Sequence, residues 1–198
     1  MHRTTILILL AVTAGAAFIL AGCTDEGIIT APDPGQGYPE AVSPDLLVDN
    51  LVRAYAERAL DAYALLLDED FAFTFRPCDV ADLGLKSDHW GKQDELAAAS
   101  RMFSGRPHVR DDGTVVPAVT AIEVESCLPL TGWEDAGDPD RGGVLRAVYD
   151  LRVRFVREEA TDLTVAGPST FYAVPVADPR GAVRYRLLGW VDQSLPCE

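Results

Sequence analysis

The residues of this 198-residue sequence whose type and spacing could do chemistry are cysteines, histidines and one acidic loop. The loop TGWEDAGDPDRGG (131–143) carries Asp135, Asp138 and Asp140 among glycines, and oxygen ligands spaced along a loop are typical of calcium sites. A calcium loop of the EF-hand type needs further oxygen ligands where this loop has glycines, so we interpret it as a long hairpin loop. The histidines lie too far apart in the sequence to indicate a metal site. We therefore expect no metal and no cofactor.

The N-terminal segment indicates where the protein acts. Arg3 is followed by an apolar run at 4–22, which is long enough for a membrane anchor but also has the layout of a cleaved secretory signal. The run ends in Leu20-Ala21-Gly22-Cys23, which resembles the lipobox of bacterial lipoproteins. The resemblance implies that the thiol of Cys23 is acylated, that residues 1–22 are removed, and that the protein is extracytoplasmic. An uncleaved anchor helix is the alternative. Thr24, where an aspartate would resemble an inner-membrane signal, favours the outer membrane if the source has two membranes.

Composition argues against two kinds of partner. The chain has 17 basic and 31 acidic residues, a net charge of −14. Nucleic acids and anionic lipid headgroups are bound mainly through basic side chains, so neither is expected as a ligand. The expected contact with the membrane is the lipid anchor on Cys23.

The rest of the chain divides into a tether and one domain. Residues 23–44 hold the cysteine and then four prolines and three glycines without apolar periodicity, which predicts a disordered tether. Residues 45–198 have enough apolar content for a single packed domain.

The domain begins with helices and continues as strands. Ser43 and Pro44 form a helix start, and the apolar spacing of DLLVDNLVRAYAERALDAYALLLD predicts one long helix. A second helix is predicted over 93–103. Strands are predicted over 71–75, 118–126, 144–156, 168–176 and 183–192. Helices followed by a meander indicate the α+β class and not a nucleotide-binding βαβ sheet.

Alternation along two strands predicts which side chains face the core. In 144–156 the odd positions are apolar, which leaves Asp150 and three arginines on the other face, where we expect the arginines to pair with Glu123 and Glu125. In 183–192 the apolar face holds Leu187 and Val191, which leaves Trp190 and Asp192 on the opposite face. The alternative interpretation is a binding surface for an anionic ligand or partner, formed by arginines of both strands: Arg146, Arg152, Arg154, Arg184 and Arg186.

The order and aromatic placement of these elements resemble the nuclear transport factor 2-like superfamily, also called SnoaL-like. The resemblance rests on AYAERALDAYALLLDEDFAFTF, HWGKQDELAAASRMF and LLGWVDQS and covers about residues 45–195. It implies a cone-shaped, curved mixed β-sheet wrapped against N-terminal helices. Enzymes of this superfamily do acid–base work on small molecules inside the cone, and other members are binding or assembly modules.

Three residues could supply acid–base chemistry in such a cone. They are Tyr55 on the first helix, His89 in the loop before the second helix, and Asp192 at the end of the last strand. Each also has an ordinary structural interpretation, so the catalytic residues are unknown. We expect a ligand-binding or accessory module, with a small apolar ligand, a protein partner or a homodimer formed through the sheet. A small-molecule isomerase or dehydratase is the alternative.

The resemblance also implies a disulfide. In that fold the first and last strands are parallel neighbours, so Cys78 and Cys197, which follow them, should meet. Cys127 ends a strand on the far side of the meander and is left over once Cys23 is acylated. A bridge that closes so long a loop contributes several kcal/mol in the chain-entropy model.

Mass spectrometry of the membrane-purified full chain under non-reducing conditions tests the state of all four cysteines. We expect an N-terminal peptide that begins with acylated Cys23, a crosslink between Cys78 and Cys197, and an unpaired Cys127. Labelled fatty acid should no longer be incorporated into a Cys23→Ser variant. Continued labelling would refute the lipobox interpretation, and a bridge to Cys127 would refute the pairing.

Overall fold

The computed structural model describes residues 37–82, 85, 87–110, 113–177 and 181–194. The helices are α1 (Pro44–Glu57), α2 (Leu60–Leu66), α3 (Pro77–Asp82) and α4 (Lys92–Phe103). The strands are β1 (Leu67–Thr74), β2 (His89–Gly91), β3 (His108–Val109), β4 (Val115–Val116), β5 (Val119–Pro129), β6 (Glu134–Asp135), β7 (Leu145–Arg157), β8 (Leu163–Ala177) and β9 (Val183–Asp192).

The main sheet is mixed and open. Its strand order is β2-β1-β9-β8-β7-β5, with β6 also paired to β7, while β3 and β4 form a separate two-stranded ribbon. Strands β1 and β9 run parallel, and the other neighbours are antiparallel. Register shifts in three of these pairs mark bulges, which bend and twist strands. The expected α+β class, with a curved mixed sheet against N-terminal helices, is confirmed.

The first helix is shorter than predicted. Its start is as expected, because the Ser43 hydroxyl accepts a hydrogen bond from the amide of Leu46 at 3.2 Å and Pro44 is the first helical residue. The prediction of one continuous helix is wrong, because Arg58 adopts a left-handed conformation (φ 52°) that ends α1. The Arg58 guanidinium donates to the carbonyl oxygen of Val119 at 3.1 Å, which ties this break to β5. Helix α2 then starts at Leu60.

Strand β7 has the two faces that its alternation predicts. Ala147, Tyr149, Leu151 and Val153 are buried in the core. On the other face, the arginines pair with acidic side chains of neighbouring strands: Arg146 with Glu134, Arg152 with Glu125, and Arg154 with Glu123. Exposed pairs of this kind contribute little each. The arginine face is therefore accounted for by cross-strand pairing.

The predicted faces of β9 are wrong in its second half. Tyr172 on β8 pairs with Gly189, but the next residue, Ala173, pairs with Leu187, so Leu188 is an extra residue that forms a bulge. An extra residue reverses the alternation beyond it. Trp190 and Asp192 consequently lie on the inner face together with Leu187, instead of opposite to it.

The residues before α1 contact the domain although the sequence assigns them to the tether. The side-chain amide of Asn50 donates to the carbonyl oxygen of Pro39 at 2.7 Å, and the backbone amide of Tyr185 donates to the carbonyl oxygen of Ala41 at 2.8 Å. The Tyr38 hydroxyl donates to Glu57 at 2.6 Å. The packed part of the chain thus begins before residue 45.

The predicted signal segment 1–22 and the acylation site Cys23 lie outside the described residues. Within the described part of the chain, no helix is long and apolar enough to cross a bilayer. Cys78 is disulfide-bonded and Cys127 is a free thiol. The expected partner, Cys197, lies outside the described residues, so the pairing stays a prediction. Burial raises the pKa of the Cys127 thiol to about 12, which keeps it protonated and unreactive.

Candidate functional site

A cavity of about 310 Å³ lies between α4 and the inner face of the sheet. This is at the lower end of the range of about 300–1,000 Å³ in which small-molecule sites fall. The helices contribute Tyr55, Asp79, Glu95, Ala98, Ala99 and Met102, and the strands and their ends contribute Phe73, Phe75, Trp90, Leu151, Val153, Phe155, Val165, Gly167, Ser169, Trp190, Asp192 and Ser194. The lining is mainly apolar, and Ala98 and Ala99 are small where a larger side chain would take up the space.

Five of the lining side chains form one continuous aromatic cluster. Phe75 contacts Trp90 at 4.6 Å between ring centroids, and Phe73 contacts Phe75 at 4.9 Å. Trp190 extends the cluster, at 5.4 Å from Phe73 and 5.9 Å from Tyr55. Most of these contacts are edge-to-face, the arrangement that aromatic quadrupoles favour. The cavity therefore has a rigid aromatic wall.

A buried carboxylate, Glu95, is part of the same wall and is only 4% exposed. Its Oε1 accepts hydrogen bonds from the hydroxyls of Tyr63 at 2.6 Å and Tyr55 at 3.2 Å. Its Oε2 accepts a hydrogen bond from the indole Nε1 of Trp90 at 2.9 Å. Glu95 is also in the first turn of α4, where the helix dipole favours negative charge.

Burial and hydrogen bonding act on Glu95 in opposite directions. Burial is the larger effect and raises its pKa above the ordinary value of 4.5, while the hydrogen bonds from Tyr63, Trp90 and Tyr55 oppose the rise. Burial also raises the pKa of both tyrosines, with the charge of Glu95 adding to the rise. Both tyrosines therefore remain protonated donors to Glu95 at neutral pH.

A second carboxylate, Asp192, lies at another part of the lining, and its side chain is 14% exposed. Its Oδ1 accepts a hydrogen bond from the amide of Ser194 at 2.9 Å. Its Oδ2 is 3.7 Å from Nε of Arg76, which is beyond hydrogen-bond distance. Arg76 instead forms a two-point pair with Asp79, with N···O distances of 2.7 and 2.6 Å.

One donor in the wall has no hydrogen bond. The indole Nε1 of Trp190 is buried and has no partner among the described residues. A buried donor without a partner costs free energy, and an acceptor on a bound molecule or a water would remove that cost.

The structure brings together two of the three residues named from the sequence. Tyr55 and Asp192 both line the cavity. His89 is on edge strand β2 with its side chain 62% exposed, paired with Asp88 at 2.8 Å, and does not line the cavity. Within the part of the chain that the structure describes, no group of His, Cys, Asp and Glu side chains could hold a metal ion.

Sequence reasoning missed Glu95. The available signal was its position in α4, four and eight residues before Ala99 and Phe103, which are buried on the same face of the helix. A glutamate on the buried stripe of a helix indicates a paired or functional carboxylate.

Solved structures with a similar fold support the architecture. A conserved protein from Planctomyces limnophilus has 12% identity and a TM-score of 0.53, over 77% of this chain and 94% of that chain. A protein from Rhodospirillum rubrum, described as NTF2-like and of unknown function in nutrient uptake, has 14% identity and a TM-score of 0.51, over 78% and 99%. No protein-family model and no curated protein matches the sequence. At these identities the similarity shows only the fold, which is nuclear transport factor 2-like.

Replacing Glu95 by Gln should change the pH dependence of stability. Because the pKa of Glu95 is raised, the folded state binds more protons than the unfolded state between pH 4.5 and the raised value. The stability of the wild type should therefore decrease as the pH rises through that window, and the Glu95→Gln variant should lack this decrease. Denaturant unfolding at a series of pH values measures the difference.

We expect the stability advantage of the wild type over Glu95→Gln to be largest below pH 4.5 and to shrink above it. The matched control is Glu134→Gln, a change at an exposed glutamate on β6, which should follow the wild type through this window. An advantage that grows with pH would mean that the three donors outweigh burial.

Proposed function

We propose that this protein binds a small, mainly apolar molecule in the aromatic cavity, outside the cytoplasm, while held on a membrane by an acylated Cys23. The observation that carries the binding proposal is the cavity itself, which remains open although large aromatic side chains surround it. The cavity is partly open to solvent, so a molecule can enter it from outside. A partly open cavity of about 310 Å³ with a mainly apolar lining is the form that small-molecule sites usually take.

The chemistry of the wall supports an apolar ligand with a polar end. Phe73, Phe75 and Trp190 present apolar surface, and burying that surface under a ligand is favourable. Ser169 and Asp192 add polar groups to the same lining. Small-molecule sites usually combine a large apolar surface with a few polar groups that orient the ligand.

The proposed location rests on the N-terminal sequence. The lipobox-like motif ending at Cys23 follows an apolar run with one basic residue before it. The segment between Cys23 and the first packed residues, near Tyr38, is rich in proline and glycine and would act as a spacer. A binding domain on such a spacer would capture its ligand close to the membrane surface.

An isomerase-type enzyme is the second candidate, and Glu95 is the observation that favours it. A buried carboxylate in a cavity wall with a raised pKa, hydrogen-bonded by two tyrosines, is an arrangement suited to general acid–base catalysis. We rank it second because both carboxylate oxygens already accept hydrogen bonds from the protein. A substrate proton would have to displace one of these donors.

Proton exchange tests the enzymatic candidate. If Glu95 acts as a base on a carbon acid, the protein should accelerate deuterium exchange at the methyl group of acetophenone in D₂O, measured by NMR. The acceleration should be lost in Glu95→Gln and kept in the exposed-site control Glu134→Gln. Exchange at the rate in buffer, or equal rates in all three proteins, would reject the enzymatic candidate and leave the binding proposal in place.

A cavity-filling change tests the binding proposal. Ala98 on α4 is half-buried in the cavity wall, whereas its neighbour Ala97 is exposed. A phenylalanine at position 98 would occupy the cavity, so Ala98→Phe should abolish binding of benzyl alcohol, a small neutral arene. Ala97→Phe adds the same side chain on the solvent side and should bind like the wild type.

The tryptophans report the binding site in this experiment. The indole NMR signals of Trp90 and Trp190, which line the cavity, should shift on titration with benzyl alcohol. Trp133 does not line the cavity, and its indole donates to Asp45 at 2.9 Å. Its signal is the internal reference and should not shift. Unchanged Trp90 and Trp190 signals, or equal binding by Ala98→Phe, would contradict the proposal.

A further inference from the structure

The charged side chains that line the cavity all carry the same sign. Among the described residues, these are Asp79, Glu95 and Asp192, and no lysine, arginine or histidine lines the cavity. The positive charge closest to this set comes from Arg76, which lies behind the lining and pairs with Asp79 through both carboxylate oxygens.

Arg76 compensates only part of this negative charge. Its two-point pair with Asp79 is short, at 2.7 and 2.6 Å, whereas its Nε is 3.7 Å from Asp192. Asp192 therefore keeps an oxygen, Oδ2, outside hydrogen-bond distance of Arg76 and within a half-buried environment. A cation in the cavity would find there a carboxylate that shares the Arg76 guanidinium with Asp79.

The aromatic wall attracts positive charge in the same space. The faces of Trp, Tyr and Phe rings carry negative electrostatic potential, and a cation within about 6 Å of a ring centroid is stabilised by it. Two tryptophans, Trp90 and Trp190, together with Tyr55, Phe73 and Phe75, surround the cavity. Such aromatic cages, combined with a carboxylate, are suited to ammonium groups that carry apolar substituents.

We infer that the cavity selects a small organic cation, an amine or a quaternary ammonium, over neutral and anionic molecules of the same size. Asp192 supplies the counter-charge and the aromatic rings supply both apolar surface and cation–π attraction. A carboxylate-bearing ligand is disfavoured, because it would place like charges together against a mainly apolar lining. This inference rests on the proposed function and names its ligand class.

A matched series of ligands tests the inference with the full-length protein. Benzylammonium, benzyl alcohol and benzoate share one ring and differ in charge at pH 7. We expect benzylammonium to bind at least about tenfold more tightly than benzyl alcohol, and benzoate to bind more weakly than either. Titrations followed by the indole signals of Trp90 and Trp190 give the three dissociation constants.

Substitution of Asp192 locates the source of the preference. Asp192→Asn keeps the acceptor for the Ser194 amide and removes the charge, so the preference for benzylammonium over benzyl alcohol should fall below about threefold. The control is Asp140→Asn, the same chemical change at an exposed loop position outside the lining, which should keep the full preference.

The outcomes separate failure of the inference from failure of the proposed function. If benzyl alcohol binds but benzylammonium gains nothing, or benzoate binds most tightly, the cation inference is overturned and the binding function stands. If the preference persists in Asp192→Asn, the assignment to Asp192 is overturned. If none of the three ligands binds, both the inference and the proposed function fail. The ligand comparison on the wild type decides the first point even if the variant does not fold.

Discussion

The buried carboxylate of Glu95 is the constraint on which the arrangement of the helices depends. A carboxylate that is 4% exposed must have hydrogen-bond donors, and Glu95 has three, one each from α1, α2 and β2. In one continuous helix the eight-residue step from Tyr55 to Tyr63 would separate their Cα atoms by about 12 Å along the axis. Both hydroxyls nevertheless reach the same oxygen, with ring centroids 5.1 Å apart. The break at Arg58 makes this possible, because it lets α2 turn back towards α4.

A second local irregularity, the bulge at Leu188, determines the chemistry of the cavity. Without it, Trp190 and Asp192 would point away from the core with the even positions of β9. The extra residue turns both towards the core, where Trp190 packs on Phe171 at 5.2 Å and joins the aromatic wall. Small residues on α4, Ala98 and Ala99, leave the space between helix and sheet open. One inserted residue and two small side chains thus produce a lined cavity in place of a packed core.

The sequence predicts regular alternation well and these two irregularities poorly. Capping chemistry predicts the role of Ser43, and periodicity predicts the faces of β7. The family resemblance of residues 45–195 predicts that β1 and β9 are parallel neighbours. No glycine or proline at the break predicts that the helix ends at Arg58. An arginine adopts the left-handed conformation there, and its guanidinium donates a hydrogen bond to the carbonyl oxygen of Val119. Gly189 was a weak signal for the bulge. The spacing of Glu95 from Ala99 and Phe103 indicates its burial, but the three donors that satisfy it come from separate elements, which no local pattern contains.

The two carboxylates of the cavity differ in how fully the protein satisfies them, and this difference divides their roles. Both oxygens of Glu95 already accept hydrogen bonds within the protein, and its removal would leave three donors without an acceptor. Asp192 accepts one hydrogen bond, from the Ser194 amide to Oδ1, and shares the Arg76 guanidinium with Asp79, so its Oδ2 can interact with a ligand without losing a hydrogen bond. A binding site needs both kinds of group. A carboxylate whose hydrogen bonds are all made within the protein holds the wall in place, while one with an oxygen still available can form a new interaction with the ligand. Environment, more than residue type, therefore makes Asp192 the group available for recognition and Glu95 the group that positions the wall around it.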